Sequence, residues 1–322
     1  MRTPVPVLVY ERVCGGLLGL VVGDALGVPV EFCTRAERDR DPVAGMRSFG
    51  THCQPVGAWS DDGSLTLAHT AAFLAHGWEP RRHLEAFAEW HQHGAWTAHG
   101  RSFDIGFATE NAIVRFLRGV SLSKIGGRAV RNNGNGSLMR MFPVACWAAA
   151  LEPAERHQLM EDASALTHAH IRSRLCCAWY GCIVAGLLAR KPLHECLGQA
   201  AAELGDRVPD DEYQVFRPLL DSRILRLDRD QIRSDGYVVS TLVAACWCLH
   251  RHDSYCDAVL EAVNLGGDTD TTAAVTGSLA GLRSGLGGIP LAWRCCLARG
   301  AEVMGLVEAF ADLCCERFFN HS

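Results

Sequence analysis

The stretch Tyr237–His250, YVVSTLVAACWCLH, decides the fold class. Val238, Val239, Leu242, Val243, Cys246 and Leu249 recur at steps of three and four. That spacing gathers apolar side chains on one stripe of an α-helix. The same steps run through 64–76, SLTLAHTAAFLAH, and 174–189, RLCCAWYGCIVAGLLA. Strictly alternating β-branched runs are scarce, which leaves few or no strands. The helices are rich in Ala and Gly and can pack closely. The expectation is an all-α fold, a compact orthogonal bundle of ten or more helices.

The chain has 322 residues, enough to bury a real core without disulfides. No linker separates two cores, so one domain is expected over 1–322. Residues 1–11 read as an N-terminal extension, and 203–236 as a polar surface segment or helical excursion. The net charge of −5 is spread along the chain and argues against a basic nucleic-acid surface. The fifteen cysteines contain no CxxC, and their odd number forbids complete pairing. They read as free thiols acting as small core hydrophobes in a reducing cytosol. MRTPVPVLVY at 1–10 lacks a cleavage pattern, and the apolar run at 16–26 is short for a bilayer and contains Asp24. A cytoplasmic monomer without a membrane partner is expected.

Four stretches carry more chemistry than a helix bundle needs. In WSDDGS, 59–64, Ser60, Asp61 and Asp62 precede a helix. In GGDTDTTAAVTGSLAG, 266–281, Asp268, Asp270 and Thr271 do the same, with an apolar helix expected from near Ala273. Carboxylates are favoured at helix N-termini by about 0.3–1 kcal/mol, yet a cap needs one side chain, not three. If the two helix starts meet, four carboxylates and two hydroxyls converge. Mutual repulsion raises their pKa values, and hard divalent cations relieve it. A pair of metals sharing carboxylates is then plausible. GDALGVPVEF, 23–32, holds Asp24 and Glu31. By themselves these read as a helix terminus and a surface carboxylate. RNNGNGSLMR, 131–140, favours a turn with positive φ, whose backbone N–H groups cradle an anion. FDIGFAT, 103–109, carries the lone acid Asp104. The pairs in HQH (91–93), HAH (168–170) and HRH (250–252) point apart on a helix and read as ordinary histidines.

Taken in order, GDALGVPVEF, WSDDGS, FDIG, NGNGSLMR, LTHAH and GGDTDTTAAVTGSLAG resemble the ADP-ribosylglycohydrolase family from about residue 12 to about 285. The resemblance implies an all-α fold with a dinuclear Mg²⁺ or Mn²⁺ centre at helix N-termini. It implies hydrolysis of the glycosidic bond between ADP-ribose and a modified protein side chain, arginine in the bacterial branch. Ser60, Asp61, Asp62, Asp268, Asp270 and Thr271 match the family's metal ligands. Glu31 and Asp104 match acids implicated in catalysis. Asn132, Asn133, Gly134, Asn135, Gly136 and His168 match segments that contact ADP-ribose. One departure is Gly63, where the family's first motif usually has threonine.

The family includes crystallin-like relatives, so two rivals stand beside the enzyme. One is a catalytically silent ADP-ribose-binding module and the other a structural protein. Retention of all six ligand-type positions favours the enzyme. Serine-linked, nucleic-acid-linked or small-molecule ADP-ribose remain alternative substrates.

Overall fold

The computed structural model describes residues 5–320. Among them lie fifteen α-helices and no strand, only three isolated β-bridges. In chain order these are α1 (Val5–Gly27), α2 (Arg35–Arg40), α3 (Asp61–His76), α4 (Pro80–His93), α5 (Phe107–Leu117), α6 (Phe142–Ala148), α7 (Pro153–Ala165) and α8 (Ile171–Leu188). Then follow α9 (Leu193–Leu204), α10 (Tyr213–Leu220), α11 (Val238–Arg251), α12 (Tyr255–Asn264), α13 (Thr269–Ser284), α14 (Leu291–Cys296) and α15 (Gly300–Asn320). The three stretches with helical spacing are α3, α8 and α11.

The central pair is α1 against α13. Gly15, Gly19, Gly23 and Gly27 recur every fourth residue, on one face of α1. A methyl at Gly23 would lie 2.2 Å from the carbonyl oxygen of Ala273, and one at Gly19 would lie 2.5 Å from that of Gly277. Only hydrogen fits between these backbones, so the two helices touch along most of their length. That contact brings Asp24 and Glu31, at the end of α1, to the start of α13. Residues 5–11 open this helix and do not stand apart from it. The apolar run is also longer than 16–26. The stretch Leu8–Val30 would span a bilayer by length and composition, but its eighteen residues from Val13 onward are all buried inside the protein.

Two apolar clusters form the core. The larger surrounds α1, α8, α11 and α13. The smaller lies between α3, α4 and α5, around Leu65, Phe87, Trp90 and Ile113. No disulfide joins the described cysteines, and nine of the fifteen are buried, as small apolar side chains would be. The segment 203–236 is a helical excursion that includes α10. It hides Phe216, Leu219, Ile224 and Ile232 among its charges. Trp247 Nε1 donates to Leu227 O at 2.8 Å and Arg35 Nη1 to Arg229 O at 2.7 Å, which anchors it. Its end, Ser234–Gly236, packs against Asp268.

Candidate metal centre and active site

The two helix starts marked in the sequence meet. Ser60 is the N-cap of α3, and its hydroxyl accepts from Asp62 N. Asp61 and Asp62 occupy the first turn. Across the gap, Thr271 Oγ1 donates to Asp62 Oδ2 at 3.2 Å. Helix α13 begins at Thr269, four residues before the expected Ala273, so Asp270 and Thr271 sit in its first turn. Asp268 holds the N-cap position, but its side chain caps nothing. Capping therefore accounts for Ser60 and leaves the acids free.

The cap of α3 comes partly from another helix, which sequence order hides. Asp24, fully buried on α1, accepts from Ser60 N at 2.9 Å and from Gly63 N at 2.7 Å. Gly63 is needed for this. A Cβ there would lie 3.0 Å from Asp24 Oδ2 and 2.8 Å from the Trp59 ring. The same closeness explains the paired glycines before Asp268. Gly266 and Gly267 both have positive φ, and a Cβ on Gly267 would lie 2.3 Å from Ser234 O. Gly267 also exchanges backbone hydrogen bonds with the Glu31 turn, from Phe32 N to Gly267 O and from Gly267 N to Cys33 O, both 2.7 Å.

Glu31 is thus buried beside Asp268, not a surface carboxylate. Its carboxylate bonds His52 Nε2, a partner from a loop with no periodic signal. Glu31, His52 and Asp104 place donor atoms within 4.8 Å of one another, and so do Glu31, Asp268 and Asp270. Glu31 belongs to both groups. Asp104 has φ +57°, a left-handed conformation that Asp tolerates and that recurs at functional sites.

Burial raises every one of these acids. Asp24 is pushed up to about 7 by desolvation. Glu31 is pushed up to about 10, by desolvation and then by the charge of Asp104. Asp61, Asp62 and Asp270 are held well above the ordinary carboxylate range by burial and one another, and Asp104 and Asp268 are raised, mainly by burial. Buried oxygens of Asp62 (Oδ1), Asp268 (Oδ1) and Asp270 (Oδ2) have no hydrogen-bond donor. Orphaned acceptors among crowded acids fit a hard divalent cation, which the all-oxygen donor set selects. Stability should follow. Without metal, the folded chain keeps protons that the unfolded chain releases near pH 4. Stability then falls as pH rises through 4 to 7 and beyond. Thermal unfolding in a chelator should show a lower Tm at pH 8 than at pH 5. Divalent metal at about 100 times its Kd should return about 2.7 kcal/mol per site at pH 8.

The acids form one end of a cavity of about 290 Å³. Glu31, Asp61, Asp104, Asp268 and Thr271 line that end, and Gly134, Asn135, Gly136, Thr109 and His168 line the other. Gly134 and Gly136 do not have positive φ, contrary to the turn expectation. Gly136 is small because of what it faces. A Cβ on Gly136 would lie 3.0 Å from His168 Cε1 and 3.1 Å from Thr109 Oγ1. Asn135 links the two ends, donating to Asp268 Oδ2 at 2.8 Å. Asn132 and Asn133 do not reach the cavity. Asn132 Oδ1 accepts from Ala129 N, and the Asn133 amide bonds Val130 O and Ser173 Oγ. They shape the loop from behind. The cavity residues outside the expected set include Arg131 and Phe107, the latter 72 % exposed at the rim.

A third convergence lies elsewhere. His157 Nε2 sits 2.9 Å from Glu203 Oε2 and 3.2 Å from Cys182 Sγ. Arg156 Nη2 reaches the same Glu203 oxygen at 3.0 Å, so a guanidinium stands where a cation would bind. This is a buried ion-pair network, in keeping with the reading of most histidines as ordinary.

A helical bundle that crowds acids from two helix starts against a small-residue loop defines a class of hydrolase, and the comparisons agree. The model of the ADP-ribosylglycohydrolase family matches residues 6–318. The chain belongs to that family and is an ADP-ribosylglycohydrolase. It is 32 % identical to ADP-ribosylarginine hydrolase Tri1 of Pseudomonas putida, over 96 % of this chain and 80 % of that one. It is 28 % identical to the ADP-ribosyl-[dinitrogen reductase] glycohydrolase of Rhodospirillum rubrum, over 88 % and 90 %. A solved ADP-ribosylglycohydrolase-related protein superposes with a TM-score of 0.79 at 28 % identity, covering 95 % and 98 % of the two chains.

Proposed function

We propose that this enzyme removes ADP-ribose from arginine side chains of modified proteins, reversing mono-ADP-ribosylation, with two Mg²⁺ or Mn²⁺ ions. The observation that carries the reading is the meeting of α3 and α13. It brings Ser60, Asp61, Asp62, Asp268, Asp270 and Thr271 together next to Glu31 and Asp104. The two relatives described above that carry the arginine and dinitrogen reductase names support the linkage. So does the mouth of the site, where Phe32 is exposed and His52 packs 5.3 Å from Phe103 beside the acids. Aromatic faces and carboxylates suit a guanidinium leaving group.

The six ligand residues would hold the metals, which when bound polarise ribose hydroxyls and acidify water. The chain's own residues do the rest. Glu31, raised in the metal-free chain by burial and then by Asp104, is placed to hand a proton to the departing guanidine. Asp104 accepts the proton of the attacking water. The ionised acids stabilise the positive charge that develops on the sugar ring. The diphosphate lies at the cavity's far end, with the N–H groups of Gly134 and Gly136, His168 and Arg131, away from the acids. The test is a panel of arginine-, serine- and nucleic-acid-linked ADP-ribose with Mg²⁺ or Mn²⁺. Release is expected to be fastest from arginine, and faster release from serine would overturn the linkage. ADP-ribose binding without turnover on any linkage would instead indicate a silent binding module.

A further inference from the structure

Arg140 is a cation with no exposure to water, and among the described residues no carboxylate pairs with it. Such burial is costly unless the charge serves something. Its neighbours are polar but neutral, apart from the Phe87 ring face 4.7 Å away. Nη1 meets His69 Nε2 at 2.5 Å and Nη2 meets Thr167 Oγ1 at 2.8 Å. Thr167 Oγ1 lies 2.8 Å from His168 Nδ1. His168 lines the cavity beside Gly134 and Gly136.

We propose that Arg140 is a positioning residue that places the single proton of His168 on Nε2, facing the cavity, and that its charge supports an anionic diphosphate there. This rests on reading the cavity as an ADP-ribose site. The proton order follows from donor counts. A guanidinium only donates. His69 Nε2 must therefore accept, and its proton sits on Nδ1, which donates to His83 Nδ1 at 2.7 Å. His83 is left with Nε2–H, which meets Gly77 O at 3.2 Å. On the other branch, Arg140 fills one lone pair of the Thr167 hydroxyl. Among the described residues the hydroxyl hydrogen has one acceptor within reach, His168 Nδ1. His168 then keeps its hydrogen on Nε2. Burial, and then the charge of Arg140, hold His168 down at about 3, so the ring is neutral and has one proton to place.

The experiment uses the full chain labelled with ¹⁵N-histidine, with NMR to read the tautomer of His168. ADP-ribose binding is measured by calorimetry and turnover on ADP-ribosylarginine protein. Arg140→Met risks the fold, so the working variant is Thr167→Val, with Thr167→Ser as rescue. Wild type should show Nε2–H. Thr167→Val should lose that preference, weaken ADP-ribose binding about three- to tenfold and raise KM equally, with kcat within about twofold. Thr167→Ser should restore all three. A wild-type His168 protonated on Nδ1 overturns the proposal, as does a Thr167→Val protein with unchanged tautomer and affinity. A wild-type protein with Nε2–H that binds no ADP-ribose overturns the reading of the cavity instead, and the two failures are distinguishable.

Discussion

Asp61→Ala and Asp268→Ala should each lower kcat/KM for release of ADP-ribose by about 10³-fold or more, with helical content near wild type. The magnitude follows from the role. Each carboxylate would hold a cation whose electrostatic work is worth several kcal/mol, and about 1.4 kcal/mol is a factor of ten. The fold should tolerate the change. Burial raises both acids, and neighbouring carboxylates raise Asp61 further, so removing one relieves strain in the metal-free chain. The metal-free Asp268→Ala protein should therefore be no less stable than wild type at pH 8, and its gain on adding Mg²⁺ should shrink. Undiminished turnover in both variants would sink the metal mechanism. A collapse of helical content would show instead that the acids are structural.

Gly23→Leu should leave no folded protein, and Gly23→Ala should cost about 1–3 kcal/mol in denaturant unfolding. The obstacle is backbone, not a side chain that can swing aside: a Cβ would sit 2.2 Å from Ala273 O. Separating α1 from α13 also separates Asp24 and Glu31 from Asp270, so Gly23→Ala should lose activity as well as stability. Gly305→Ala is the control. It lies in α15 with nothing within 4 Å of the new methyl, and alanine is the better helix former by about 1 kcal/mol. That variant should be slightly more stable and fully active. Equal costs at the two sites would refute close packing as the reason for the glycine row.

How much was legible in the sequence depends on the range of the interaction. Helical spacing at 64–76, 174–189 and 237–250 is local, and the helices lie there. The crowding of hydroxyls and acids at 60–62 and 268–271 is local too, and exceeds what capping requires. Asp24 and Glu31 looked bland because their partners lie 21 residues or more away, Ser60 and Gly63 for Asp24 and His52 for Glu31. His52 and Arg140 had no signal, since a loop histidine and a helix-flanking arginine are common. The glycines at 134 and 136 were marked for the right loop but for the wrong cause. Neither adopts positive φ, and Gly136 makes room for His168 and Thr109.

The sequence by itself determined the helices, the small-residue character of α1 and α13, and the two acidic helix starts, because periodicity, composition and capping chemistry act within a few residues. Only the tertiary structure decided that the starts face one another, that Asp24 caps α3 from α1, and that Asn132 and Asn133 turn away from the cavity while Asn135 turns in. Those outcomes are set by backbone contact between α1 and α13 and by hydrogen bonds between residues far apart in the chain. Distances of that kind have no period to read.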